Sequence, residues 1–257
     1  VYKRQDVSGT QRLGGFIGLV EGLKQPTVIS FEDCVNNGNV TGSGQYIGGF
    51  VGLIPGGTNI TTIISNSIND GNVTGGGDVG GFVGIIHDNT NMTVTISNSI
   101  NNGNVTGSKL YVGGLVGLIN SPLDSHSTTL DVKNSANKGS VSSNKGMACG
   151  FVCTTESKSV KTTVKNSINK GSVNAGTNGY GITNNITVAR NVVSMGDVTG
   201  PSGSFTFWNA STDVDLFYGL DDKCINCGPN ATLFQLNTTT GFYLSLIHIT
   251  EPTRLRC

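Results

Sequence analysis

A segment of the form Asn-x-Gly-x-Val recurs along the chain, with its glycines at Gly38, Gly71, Gly103, Gly139 and Gly171, and once more at Gly196 with Ser194 in place of the asparagine. Successive spacings are 33, 32, 36, 32 and 25 residues, and glycine-rich apolar runs such as Gly49-Phe50-Val51-Gly52-Leu53-Ile54 lie between them. Self-similarity at such a period marks stacked repeats, in which a unit too small to bury its own apolar face covers that of its neighbour. The period therefore constrains the fold before any single residue does. It also builds a long surface, and a repeat seldom specifies what its surface binds.

Within one repeat, residues 62 to 86, β-branched residues dominate and no helical periodicity appears. Three extended segments stand out, Thr-Ile-Ile-Ser-Asn-Ser-Ile, Asn-Val-Thr and Gly-Phe-Val-Gly-Ile-Ile, separated by Gly and Asn/Asp turns. Three strands and three corners per coil predict an all-β parallel β-solenoid of about 33-residue coils over residues 6–200. Stacking then aligns equivalent residues in columns. Phe16, Phe50, Phe82, Leu115 and Phe151 form one, Val40, Val73, Val105, Val141, Val173 and Val198 a second, and Ile68, Ile100, Ala136 and Ile168 a third. Each large side chain buried this way contributes about 1.5 to 3 kcal/mol. Asn36, Asn69, Asn101, Asn137 and Asn169 precede the turns, where stacked amides can form a hydrogen-bonded ladder. The turn glycines are expected to supply the positive φ of a tight corner.

A hairpin-based antiparallel repeat competes with the solenoid, because Asn37-Gly38, Asp70-Gly71 and Asn102-Gly103 are favoured type I′ dipeptides. The later copies place Lys138, Lys170 and Met195 before the glycine. Those residues suit a positive φ poorly, while the columns persist, so the solenoid is preferred.

Charged residues make up only 12% of the chain, the formal net charge is zero, and no run of Lys or Arg occurs. The sequence thus offers no electrostatic footprint for nucleic acid or anionic lipid. No apolar stretch reaches the length of a spanning helix.

The glycine-rich segments Gly14-Gly15-Phe16-Ile17-Gly18-Leu19-Val20, Gly48-Gly49-Phe50-Val51-Gly52-Leu53-Ile54, Gly80 to Ile86 and Gly113-Gly114-Leu115-Val116-Gly117-Leu118-Ile119 resemble the GLUG-motif repeats of bacterial and protist surface and adhesin-like proteins. Four good copies cover residues 6 to 140, after which Cys149-Gly150-Phe151-Val152-Cys153 replaces two glycines. The resemblance implies a cell-surface or secreted scaffold of adhesin or surface-coat type, without catalysis or cofactor. Its implied partner is an extracellular ligand, glycan or neighbouring cell surface, with a membrane reached only through an anchor outside this chain.

Residues 1–5 and 244–257 match nothing else in the chain and resemble translated sequencing-adapter read-through. Asp6-Val7-Ser8-Gly9 aligns with Asn39-Val40-Thr41-Gly42 one period on, so the chain is expected to be a fragment that begins inside a repeat. Residues 201–243 leave the repeat and read as an irregular C-terminal cap or a small module, holding Trp208, Asp213 and Asp215.

Cys224 and Cys227 have zinc-knuckle spacing without a second ligand pair. A local disulfide is the preferred reading, with metal and free thiols as alternatives. Cys149 and Cys153 align with Gly48 and Gly52. Residues four apart in one extended strand lie about 13 Å apart, beyond the ~7 Å limit for a disulfide, so they bridge only where the strand breaks. Asn-x-Ser/Thr sequons include Asn39, Asn72 and Asn104 in the turn column and Asn59 and Asn91 in loops. Glycans must clear neighbouring coils, which makes Asn59 and Asn91 the favoured acceptors. A polysaccharide-active β-helix enzyme is the functional alternative. It needs clustered carboxylates on one face, whereas those here are scattered up to Asp213. Gly75-Gly76-Gly77-Asp78 resembles calcium-binding glycine repeats but occurs once.

Overall fold

Short β-branched segments cannot fold alone, and here each finds its hydrogen-bonding partner one repeat away. The computed structural model describes residues 1–20, 26–57, 59–87, 91–121, 127–154, 160–207 and 217–219. Every strand pairing among them is parallel and joins equivalent positions of successive repeats, as in Ile68 with Ile100 and Val73 with Val105. The molecule is therefore a parallel β-solenoid, and the hairpin alternative is excluded. Five complete turns span 27–54, 60–87, 92–120, 128–154 and 160–183. A partial turn precedes them, and strands up to Phe217–Gly219 follow.

The turn at 60–87 shows how one coil is made. Its strands are Ile60–Ser65, Ile68–Asn69, Val73–Gly75, Val79–Gly80 and Val83–His87. They fall on three sheets of 12, 7 and 12 strands, the first and last each holding two strands per coil. Three faces are thus present as the sequence implies, but two of them are bent. The first breaks at Asn66, which takes φ 50° together with its equivalents Asn98, Asn134 and Asn166. Asparagine tolerates that region better than other side-chain-bearing residues. The third breaks at Gly81-Phe82, between Val79–Gly80 and Val83–His87.

Side chains alternate across each strand: Ile60, Thr62 and Ile64 are buried, and Thr61, Ile63 and Ser65 are half-buried. The Phe column runs through the largest core cluster, with Phe50 packed edge-on against Phe16 and Phe82 at centroid distances of 4.9 Å. The Val column forms a second cluster with Ile47, Val79 and Val112. The Ile100, Ala136 and Ile168 column is separate again, packing with Val193 and Met195. Alternation explains this, because buried Asn69 and half-buried Ile68 point to opposite sides of one short strand.

Stacking carries past the last turn of the repeat motif. Gly203–Phe207 pairs in parallel with Asn178–Thr183, and Phe217–Gly219 with Val188–Ser194. Trp208, Asp213, Asp215, Cys224 and Cys227 lie outside the described residues.

Candidate functional site

Asn36, Asn69, Asn101, Asn137 and Asn169 are all fully buried. Each Nδ2 donates to the Oδ1 of the next coil's asparagine, at 2.7 Å for Asn36 to Asn69 and 2.8 Å for the three following steps. The same nitrogen donates to the carbonyl two residues on, as from Asn69 to Gly71 at 2.8 Å. One primary amide thus closes its own turn and binds the next coil. Asn36 Oδ1, at the start of the ladder, is buried with no partner.

The turn glycines act differently from the expectation. Gly38, Gly71, Gly103, Gly139, Gly171 and Gly196 do not adopt positive φ. They are glycine because a Cβ on Gly71 would collide with the carbonyl of Gly38, and those on Gly103, Gly139, Gly171 and Gly196 with the turn glycine one coil before. Close stacking of carbonyls imposes the residue, not the corner's dihedral. The second glycine of each Gly-Gly pair is fixed first by the carbonyl of its equivalent in the next coil, with which a Cβ on Gly49 or Gly81 would collide, and then by the ladder. A Cβ on Gly49 would stand 2.6 Å from Asn69 Oδ1, and one on Gly81 2.6 Å from Asn101 Cγ. Ladder and glycine meet across the interior and divide the two main apolar clusters. The repeat's two sequence signatures are therefore the two sides of one contact.

Three further ladders were not legible as such. Ser67, Ser99, Ser135 and Ser167 each accept, through Oγ, the backbone N–H of the preceding coil, at 3.2 to 3.3 Å. Exposed Asn98 donates to Asn66 at 3.2 Å, and Asn134 to Asn98 at 3.1 Å. The sequon residues Asn39, Asn72 and Asn104 accept the next coil's backbone N–H through Oδ1 at 2.9 Å. Their signal was the 32-residue recurrence of Asn-Ser and Asn-Val-Thr.

Asn59 and Asn91 are exposed, at φ 55° and 58°, just before the long strands that start at Ile60 and Met92. Cys149 and Cys153 are joined in a buried disulfide with Cα atoms 5.5 Å apart. They do not share one strand: Ala148–Cys149 and Val152–Thr154 meet at the Gly150-Phe151 corner. The strand break on which bridging depended is thus present, and it is the same corner the preceding coils have. Pairing with the previous coil also shifts register between Val116 and Ile119.

Asp78 is only 3% exposed, and its Oδ1 has no partner. Its column holds Tyr46, Tyr111 and Met147, whose carbonyls receive equivalent hydrogen bonds. Burial pushes its carboxyl up to about 6, opposed by backbone hydrogen bonds from Tyr111 and from its own N–H. Among the described residues, no group of three or more His, Cys, Asp or Glu could hold a metal.

Stacking also assembles charges that the sequence keeps far apart. One column, exposed at its charged members, reads Glu32, Ser65, Ser97, Lys133, Lys165, Arg190 through direct strand pairing. A second reads Asp70, Asn102, Lys138, Lys170, aligned by equivalent backbone bonds. Both flank the short strand of the first face, so one edge passes from acidic to neutral to basic along the axis. Zero net charge conceals this, and the absence of a Lys/Arg run does not mean the absence of a basic cluster. The chain matches no model of a known protein family, no curated protein and no solved structure.

Proposed function

We propose that the chain is a repeat scaffold of a cell-surface or secreted protein, of the adhesin or surface-coat type suggested by its likeness to GLUG-motif repeats, serving to present an extended surface and not to catalyse a reaction. The carrying observation is the allocation of its polar chemistry. The buried amide column and the serine column of Ser67, Ser99 and Ser135 hold one coil to the next, and the charge that varies from coil to coil lies on the exposed edges. The buried Cys149–Cys153 disulfide supports an oxidising compartment. Exposed sequons at Asn59 and Asn91 suit the same placement. The test is binding of the purified chain to cells, matrix and a glycan panel against a neutral control protein. Binding above that control is expected, and silence across the panel would leave a spacer without adhesive activity.

A further inference from the structure

We infer that the basic half of the charged edge binds a linear acidic polysaccharide, an inference that rests on the surface-scaffold reading above. Lys133, Lys165 and Arg190 occupy directly paired positions on adjacent strands. Neighbouring strands lie about 4.8 Å apart, and like charges held opposite one another repel. Lys138 and Lys170 repeat the arrangement on the other side of the short strand, and Lys161 stands on the same face. All six are exposed. Between 127 and 194 the single acidic side chain among the described residues is Asp131, and its Oδ1 bonds to nothing. The five lysines of the array repel one another, and anions repeated along its length would offset that repulsion.

A rigid row of cations at the coil spacing suits a polymer with regularly placed carboxylates or sulfates. Of the polyanions, an acidic polysaccharide fits best. The disulfide lies in the coil that carries Lys138, which favours an oxidising, extracellular setting. The two columns place lysine, serine and asparagine side by side and present no aromatic ring for bases to stack on.

The test uses the whole chain and immobilised polygalacturonate and dextran sulfate, with uncharged dextran as control. At low salt the wild type binds both acidic polymers, and binding weakens as salt rises. Lys165→Gln/Lys170→Gln lowers affinity about tenfold and flattens the salt dependence. Lys109→Gln/Lys145→Gln removes the same charge from another edge and changes affinity by less than about twofold. Unchanged thermal unfolding in both doubles keeps the comparison clean. Equal losses in the two doubles, no binding to either acidic polymer, or equal binding to dextran would overturn the inference. So would duplex DNA outcompeting polygalacturonate, or salt-sensitive self-association lost in the first double without polysaccharide binding, which would assign the edge to nucleic acid or to a second copy. Retained binding to cells or neutral glycans alongside such a failure would remove only this edge; loss of all binding would remove the scaffold reading as well.

Discussion

The coil at 60–87 and the coil at 128–154 share one buried polar ladder and differ in much of what surrounds it. Both carry the buried asparagine, the serine beneath it and the glycine whose carbonyl receives the amide. Yet Gly80 and Gly84 of the first correspond to Cys149 and Cys153 of the second, Ser65 to Lys133, and Asp70 to Lys138. The apolar interior differs too, with buried Thr62 and Val79 standing where the later coil has buried Leu130 and Ala148, so what the two coils keep in common is the hydrogen-bonded ladder. Stacking fixes the ladder because each of its amides serves two coils at once and is closed off from water.

Breaking the interior ladder has the largest expected effect. Asn101→Ala leaves Asn69 Nδ2, Gly103 O and Asn137 Oδ1 short of a buried partner. The cost is about 3 to 5 kcal/mol. Asn98→Gly cuts a ladder of the same composition on the exposed side and holds the positive φ of that position without strain. There water replaces the lost bonds, and the change stays within about 0.5 kcal/mol. Urea unfolding of both variants checks the contrast. Equal destabilisation would mean that the buried column is no more important than the exposed one.

Asp78 tests a departure peculiar to the first of these coils, since Tyr111 and Met147 follow it in the column. A carboxyl raised from 3.8 to about 6 on folding binds its proton more tightly in the native state. Stability from this group is therefore complete below pH 4, falls as pH rises from about 4 to about 6, and is level above that. The loss at neutral pH is at most about 3 kcal/mol. Asp78→Asn keeps an acceptor for the Tyr111 N–H and removes the charge. The variant should match the wild type near pH 4 and exceed it near pH 7, as read from unfolding midpoints. A constant difference across that range would show that the carboxyl is not what titrates.

The second coil's departure is tested by restoring the glycines. Cys149→Gly/Cys153→Gly loses a short covalent loop worth about 2 kcal/mol. A reducing agent should lower the wild-type melting temperature and leave the double variant unchanged. A reductant effect persisting in the double variant would locate the sensitivity elsewhere.

The parallel solenoid, its columns and the amide ladder follow from periodicity, because identical residues one period apart must meet if coils stack. Other features need a second coordinate. The turn glycines read as positive-φ residues because sequence shows a corner and cannot show the carbonyl of Gly38 lying above Gly71. Cys149 and Cys153 read as too distant because the break at Gly150-Phe151 is hidden in a run that is apolar on both sides. The basic edge was invisible for the opposite reason. Its lysines are a repeat period apart, where a scan for local charge runs does not look but a reading by columns does.

The smallest effect comes from the first position of the ladder. Lys3 pairs with Asn36 where the next five coils have asparagine, from Asn36 to Asn169. Burial lowers its ammonium pKa, against the opposing attraction of Asp6. Lys3 Nζ and Asn36 Oδ1 are both buried without partners. Asp6 nevertheless keeps the register, accepting the Asn39 N–H at 2.6 Å as Asn39 accepts that of Asn72. The backbone is thus ready for the ladder, and only the side chain is wrong. Lys3→Asn would donate to Asn36 Oδ1 and to the Gln5 carbonyl, a gain of about 1 kcal/mol. The gain should appear as slower amide exchange in the strands at Val35–Asn36 and Val40–Gly42, and it should shrink in an Asn36→Ala background, where the Gln5 carbonyl alone is left to accept. A stabilisation undiminished by Asn36→Ala would have to come from removing the lysine or from the Gln5 carbonyl, and the ladder would lose its claim on that position.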